Sequence, residues 1–150
     1  MANAETIQSA LRDLVGQRCE RAENPYGSAL SLDFGTLGLR QGDAPGTKTH
    51  GWRHLTVLSP WRLENDHEVI ADWNVTGGAG GPLGATIQVL VGKAVVETHS
   101  VGPGWDLTLR LSDALTLRVF SDRTEDREDA WFVLGTDGLE AGAGFSPRFR

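Results

Sequence analysis

The chain has 150 residues, with 14 basic against 20 acidic side chains and a formal net charge of −6. A charged fraction of 23% beside 39% hydrophobic residues excludes wholesale disorder, and the length suffices for one domain with a buried core. An acidic chain with no basic run is unsuited to gripping a phosphate backbone, which excludes nucleic acid as a partner, and no apolar stretch approaches the roughly 20 residues of a membrane span.

The stretch from Ile7 to Leu14 places Ile7, Ala10, Leu11 and Leu14 on one face and predicts a helix. Asn3 is expected to cap it, Glu5 suits its positive end, and Gly16 ends it. No basic segment leads into an apolar core here, so a secretion signal is not expected. The lone cysteine, Cys19, allows no intrachain disulfide and no multi-cysteine zinc site. A cytoplasmic location follows as the expectation. Cys19 itself reads as a small buried hydrophobe.

After Gly16 the pattern changes to period two. Residues 18–22 alternate before the turn at Asn24-Pro25-Tyr26-Gly27. Leu30, Leu32 and Phe34 then alternate with Ser31 and Asp33, and Leu37 and Leu39 with Gly38 and Arg40, so residues 33–36 are expected to turn a hairpin. Three further strands are predicted over residues 52–58, 61–65 and 68–74. Pro82 and Gly92 bracket a second, weaker helix. Alternation returns at Leu107, Leu109 and Leu111 and again at Leu115, Leu117 and Val119, across a turn at Ser112-Asp113-Ala114. Residues 130–135 and 138–149 supply the last strands.

Four blocks recur in one order at offsets of 76 to 78 residues. Leu11-x-x-Leu14-Val15-Gly16 returns as Ile87-x-x-Leu90-Val91-Gly92, and the block at Leu30 returns at Leu107. The blocks at Leu37 and Val57 return at Leu115 and Val133. The chain therefore reads as one domain, 1–150, built of two copies, 5–76 and 82–150, joined by the glycine-rich connector 77–81. Each copy is a short helix followed by about five antiparallel strands. The expected fold is α+β, mostly antiparallel β, as a sandwich or partly open barrel. Its edge strands allow pairing into a homodimer.

Candidate chemistry is sparse. His50 and His54 are four apart, but a strand would hold them roughly 13 Å apart, too far for one zinc. They read as solvated edge histidines, and no metal or cofactor is expected. No Gly-x-Ser-x-Gly elbow or phosphate loop occurs, so no catalytic residue is nominated. Asp122, Glu125, Asp126, Glu128 and Asp129 crowd one mixed-charge loop, which reads as a solvated loop keeping a strand edge wet, with a docking surface for a basic protein partner as the alternative. Trp131 stands where the first copy has Leu55 and reads as core, whereas Trp61 aligns with Asp137. Trp61 and Trp73 flank the turn at 65–67, where they cover the end of a small core or line a groove, and Asp106 stands where the first copy has Ala29; these three are the candidate ligand residues of a pocket between the copies.

Leu14-Val15-Gly16, Tyr26-Gly27-Ser28 before Leu30-x-Leu32-x-Phe34-Gly35, and Trp61-Arg62-Leu63-Glu64 resemble small bacterial proteins of unknown function. Asp106-Leu107-Thr108-Leu109 and Leu115-x-Leu117-x-Val119-Phe120-x-Asp122 belong to the same resemblance. Such proteins look like two-helix, many-strand single domains, and some occur beside toxin and immunity genes. The resemblance carries no activity and no catalytic residue; the acidic balance and the lack of a catalytic set are what point to a non-enzymatic, immunity-type or adaptor-like binding protein. The alternative is a small-molecule binder or enzyme with its pocket between the copies.

Overall fold

The computed structural model describes residues 4–74, 82–121 and 130–143. The Asn3 cap, the connector 77–81 and the acidic residues Asp122, Glu125, Asp126, Glu128 and Asp129 lie outside them. Among the described residues, ten strands form two antiparallel five-stranded sheets, stacked as an open sandwich with the helices against it. The fold is α+β and mostly sheet; the barrel alternative does not form. No helix among the described residues is long and apolar enough to cross a membrane.

Helix α1 runs Ala4–Leu14 and buries Ile7, Ala10, Leu11 and Leu14, the face marked by the apolar spacing. Strands β1 (Cys19–Glu23), β2 (Leu30–Phe34), β3 (Arg53–Val57), β4 (Trp61–Glu64) and β5 (Val69–Asp72) follow. The second helical segment is short: α2 spans Pro82–Thr86 and tightens into a 3-10 turn over Ile87–Leu90. Its β-branched residues and the mid-helix Gly84 favour that break. Then come β6 (Val95–Ser100), β7 (Leu107–Leu111), β8 (Thr116–Val119), β9 (Trp131–Gly135) and β10 (Glu140–Ala143).

The first sheet has the order β1-β2-β3-β9-β10 and the second β6-β7-β8-β4-β5. Each is therefore three strands from one part of the chain completed by two from the other. The joint between the sheets is reciprocal. The Gly16 amide donates to the Val95 carbonyl and the Gly92 amide to the Cys19 carbonyl, both at 2.8 Å. The amides of Cys19 and Val95 donate to the carbonyls of Lys93 and Gln17, both at 2.9 Å, around an isolated bridge between Arg18 and Ala94. Gly16 and Gly92 both have φ near +90°, a conformation that a Cβ disfavours, and each turns the chain from helix into strand.

One hairpin departs from the sequence expectation. Leu37 and Leu39 do not pair with β2; they are about two-fifths exposed, and only Gly38 bridges, to His50. The partner of β2 is β3, with Leu30 opposite Val57 and Phe34 opposite Arg53. Period-two alternation marks a half-buried strand but does not say which later strand it joins, and an inserted segment, 36–52, carries its own alternation. By strand order the counterpart of β8 is β3, and that of β9 is β4. Trp61, opposite Val119, thus corresponds to Trp131, opposite Val57, and not to Asp137. Both indoles are core, 1% and 0% exposed.

Candidate functional site

The most concentrated chemistry lies on the outer face of the first sheet. Leu30, Leu32 and Phe34 of β2 point into the core, so Ser31 and Asp33 point away from it. Register puts Asp33 opposite Arg21 on β1 and opposite His54 on β3. A solvated face would leave these groups exposed, but residues 36–52 return across it. Their ties are the Gly38–His50 bridge, the Lys48–Glu23 ion pair at 2.9 Å, a bond from the Arg21 guanidinium to the Thr49 carbonyl, and one from the Gln41 amide to the Thr136 carbonyl at 2.9 Å. Beneath this cover Asp33 is 1% and His54 6% exposed.

Every buried charge there has a partner, as burial requires. Asp33 Oδ1 accepts from the Gly51 amide at 2.7 Å and lies 2.6 Å from His54 Nδ1; Oδ2 accepts from Arg21 Nε at 3.0 Å. His54 Nε2 is 2.9 Å from Ser31 Oγ. Burial pushes the Asp33 carboxyl up, but the hydrogen bonds from His54 and Gly51 and the Arg21 guanidinium outweigh it and hold it well below the usual carboxylate range. His50 packs edge-on against His54, ring centroids 5.1 Å apart, with Nδ1 3.8 Å from Asp33 Oδ1. Burial, then Arg40 and His54, push its pKa down, favouring a neutral ring. His50 Nδ1 is buried and has no hydrogen-bond partner.

The expectation of solvated histidines 13 Å apart is therefore overturned. It assumed an extended chain from 50 to 54. Gly51 and Trp52 bend instead, because Gly51 presses against β2: a Cβ there would stand 2.6 Å from the Phe34 nitrogen and 2.7 Å from its oxygen. Sequence reasoning also missed Asp33 and Ser31, which read as the wet face of a strand. The missed signal was a carboxylate set between Leu32 and Phe34 inside a strand.

Ser31, His54 and Asp33 have the contacts of a nucleophile, base and orienting acid. Their setting is a flat interior strand. β2 has neighbours on both sides, so its amides are committed to the ladder and cannot turn toward an oxyanion. The trio accordingly reads as a buried polar network that fixes β2, β3 and segment 36–52 together.

A second feature lies on the other sheet. An open cleft of about 300 Å³ is lined by Pro60, Trp61, Arg62, Asp72, Trp73, Asn74 and Phe120. Trp61 and Trp73 thus meet there as candidate ligand residues, although Trp61 is a buried floor whose Nε1 donates to the Ser28 carbonyl at 2.7 Å. Asp106 does not line the cleft. Its Oδ1 accepts from the Ser121 amide at 2.7 Å, which secures the chain just past Phe120. The Arg62 guanidinium lies 5.4 Å from the Phe120 ring centroid and is paired with Glu64 at 3.1 Å. Cys19 is fully buried, as expected, and burial pushes its thiol up to about 12.

Comparison with protein-family models, with curated proteins and with solved structures finds no match to this chain.

Proposed function

We propose that this is a non-enzymatic binding protein that takes an apolar or aromatic side chain of a basic protein segment into the cleft beside Trp73 and Phe120. The cleft carries the reading: about 300 Å³ is at the lower end of ligand-pocket sizes, enough for one large side chain and too open to enclose a cofactor. Exposed aromatic surface next to polar groups is the composition of recognition sites. The charge of Arg62 is answered by Glu64, and Asp72 adds a carboxylate to the wall. The acidic residues from Asp122 to Asp129 follow Phe120 almost directly in sequence, and the chain is acidic throughout. An immunity-type inhibitor or an adaptor is the class of protein that such recognition serves. Origin by duplication belongs to the same reading, supported by the matching strand orders and by the blocks at Leu11/Ile87 and Leu30/Leu107, whereas the blocks at Leu37 and Val57 do not fall on equivalent strands.

The test is a panel of short peptides, basic or acidic and with or without a terminal aromatic residue, titrated while tryptophan fluorescence is followed. Basic aromatic peptides should bind, more weakly at high salt, and Phe120→Ala and Trp73→Ala should each weaken them about tenfold or more. Binding that ignores both substitutions, or none by any peptide class, would sink the proposal. A fragment screen on the same variants examines the second reading, a small-molecule binder or enzyme, which the meeting of Trp61 and Trp73 along one cleft supports.

A further inference from the structure

The geometry points to a site for a late first-row divalent cation, of the zinc class, formed by Asp33 Oδ1, His50 Nδ1 and His54 Nδ1 beneath segment 36–52. It lies on the sheet opposite the cleft and does not depend on the function proposed above. Among the described residues these three side chains form a group in which one ligand atom of each lies within 4.8 Å of the others. Two imidazoles and one carboxylate suit zinc, cobalt, nickel or ferrous iron and leave a position open for water.

The spacing brackets the requirement. Ligands about 2.0–2.1 Å from a tetrahedral ion stand roughly 3.3 Å apart. His54 Nδ1 is 2.6 Å from Asp33 Oδ1, and His50 Nδ1 is 3.8 Å from it. To reach that spacing the first edge must open by about 0.7 Å and the second close by about 0.5 Å, displacements of the size that side-chain torsions supply.

The surrounding groups match what holds metal ligands in place. A ligating histidine normally donates its other ring N–H, and a ligating carboxylate is itself hydrogen-bonded. Ser31 Oγ, 2.9 Å from His54 Nε2, can accept that proton when Nδ1 takes the metal, since a hydroxyl serves as donor or acceptor. Arg21 holds Asp33 Oδ2, and the Gly51 amide holds Oδ1 beside the histidines, so both carboxylate oxygens are fixed by hydrogen bonds. The strongest independent sign is the His50 Nδ1 atom, buried and without a partner, against a buried carboxylate. A buried polar atom without a partner costs free energy that a cation at this point would recover. His67 and His99, the other two histidines, are exposed and lie in other segments.

Zinc chloride titrated calorimetrically into the chelator-treated full chain at neutral pH should show one saturable site. Cobalt in its place should give the visible absorption of a four-coordinate ion. His50→Ala, on the covering segment and outside the core, should weaken zinc by at least about 100-fold, and Ser31→Ala by about 10- to 100-fold. The double variant His67→Ala/His99→Ala should bind as the parent does. Should His50→Ala fail to fold, imidazole nitrogen NMR of the parent decides: zinc must shift the Nδ1 resonances of His50 and His54. The absence of stoichiometric binding, unchanged affinity in a folded His50→Ala, or shifts at His67 or His99 instead would overturn the assignment and leave the cluster a structural network only.

Discussion

Trp61 and Trp131 occupy equivalent places in the two sheets. Trp61 opens β4 opposite Val119 and donates its indole N–H to the Ser28 carbonyl at 2.7 Å; Trp131 opens β9 opposite Val57 and donates to the Trp105 carbonyl at 2.8 Å. Ser28 and Trp105 themselves stand two residues before the first residues of β2 and β7, Leu30 and Leu107. Each indole thus ties the strand contributed by the other part of the chain to the entry of a sheet's second strand.

That equivalence predicts matched costs. Trp61→Phe and Trp131→Phe each remove one buried N–H bond and part of a ring from a close-packed core, and should each lower stability by about 1–3 kcal/mol. Trp73→Phe, at a partly exposed position, should cost under about 0.5 kcal/mol. Urea unfolding checks this through the midpoints, with the slope unchanged. A large inequality between the two core variants would deny that they do the same work.

Two glycines should respond with opposite signs. Gly51→Ala drives a methyl into the backbone of Phe34, which belongs to an interior strand and cannot yield. The substitution should cost about 2–3 kcal/mol, dislodge the Gly51–Asp33 hydrogen bond and speed hydrogen exchange through residues 36–52. Gly84 lies in α2 with open space where its Cβ would be, so Gly84→Ala should raise stability by about 0.5–1 kcal/mol. Thermal melts of the two variants against the parent separate the signs directly.

The helix of 4–14 and the strands were legible because each presents one apolar face, a local property. Pairing was not. The order that brings β9 beside β3 depends on which edges meet in three dimensions, and Leu37 and Leu39 imitate a strand while lying in the segment that covers His54. The polar cluster was hidden for the same reason. Asp33, His50 and His54 are 17 and 4 residues apart along the chain, and only antiparallel register together with the bend at Gly51 joins them. Trp61 and Trp73 drew attention because they flank one turn, and Asp106 because it stands where the first copy has Ala29; the structure sets the two indoles along one cleft and Asp106 on the Ser121 amide.

Cys19 gives a pH dependence with a definite sign. Burial, countered in part by a backbone bond to Arg21, raises the thiol from 9.0 to about 12 in the folded chain. The folded state therefore keeps a proton that the unfolded state releases. The associated stability is fully present below pH 9 and is lost as pH rises toward 12, by roughly 1.4 kcal/mol per pH unit. Cys19→Ala should flatten that part of the stability curve. A thiol reagent at pH 8 should react with Cys19 only as fast as the chain opens, and instantaneous labelling of the native protein would contradict this.

Arg53 clamps three elements. Its guanidinium, 5% exposed, meets Asp13 of α1 at 2.8 Å and Asp137 of the β9–β10 turn at 3.0 Å, and stacks 3.8 Å from the Trp52 ring centroid. Burial pushes the Asp137 carboxyl up, but the hydrogen bonds from Arg53 and the Leu139 amide bring it below its ordinary value. Arg53→Ala leaves two carboxylates facing each other without their cation. Both remain partly solvated, so the expected cost is about 2–4 kcal/mol, short of that for a wholly buried pair. Arg53→Lys keeps the charge but cannot fork between two carboxylates, and should recover less than half of the loss. The exposed Arg62→Ala serves as the comparison and should cost under about 1 kcal/mol. Urea midpoints for the three variants test the order, and an Arg53→Ala midpoint near that of Arg62→Ala would show that the Asp13–Arg53 pair does little to hold α1.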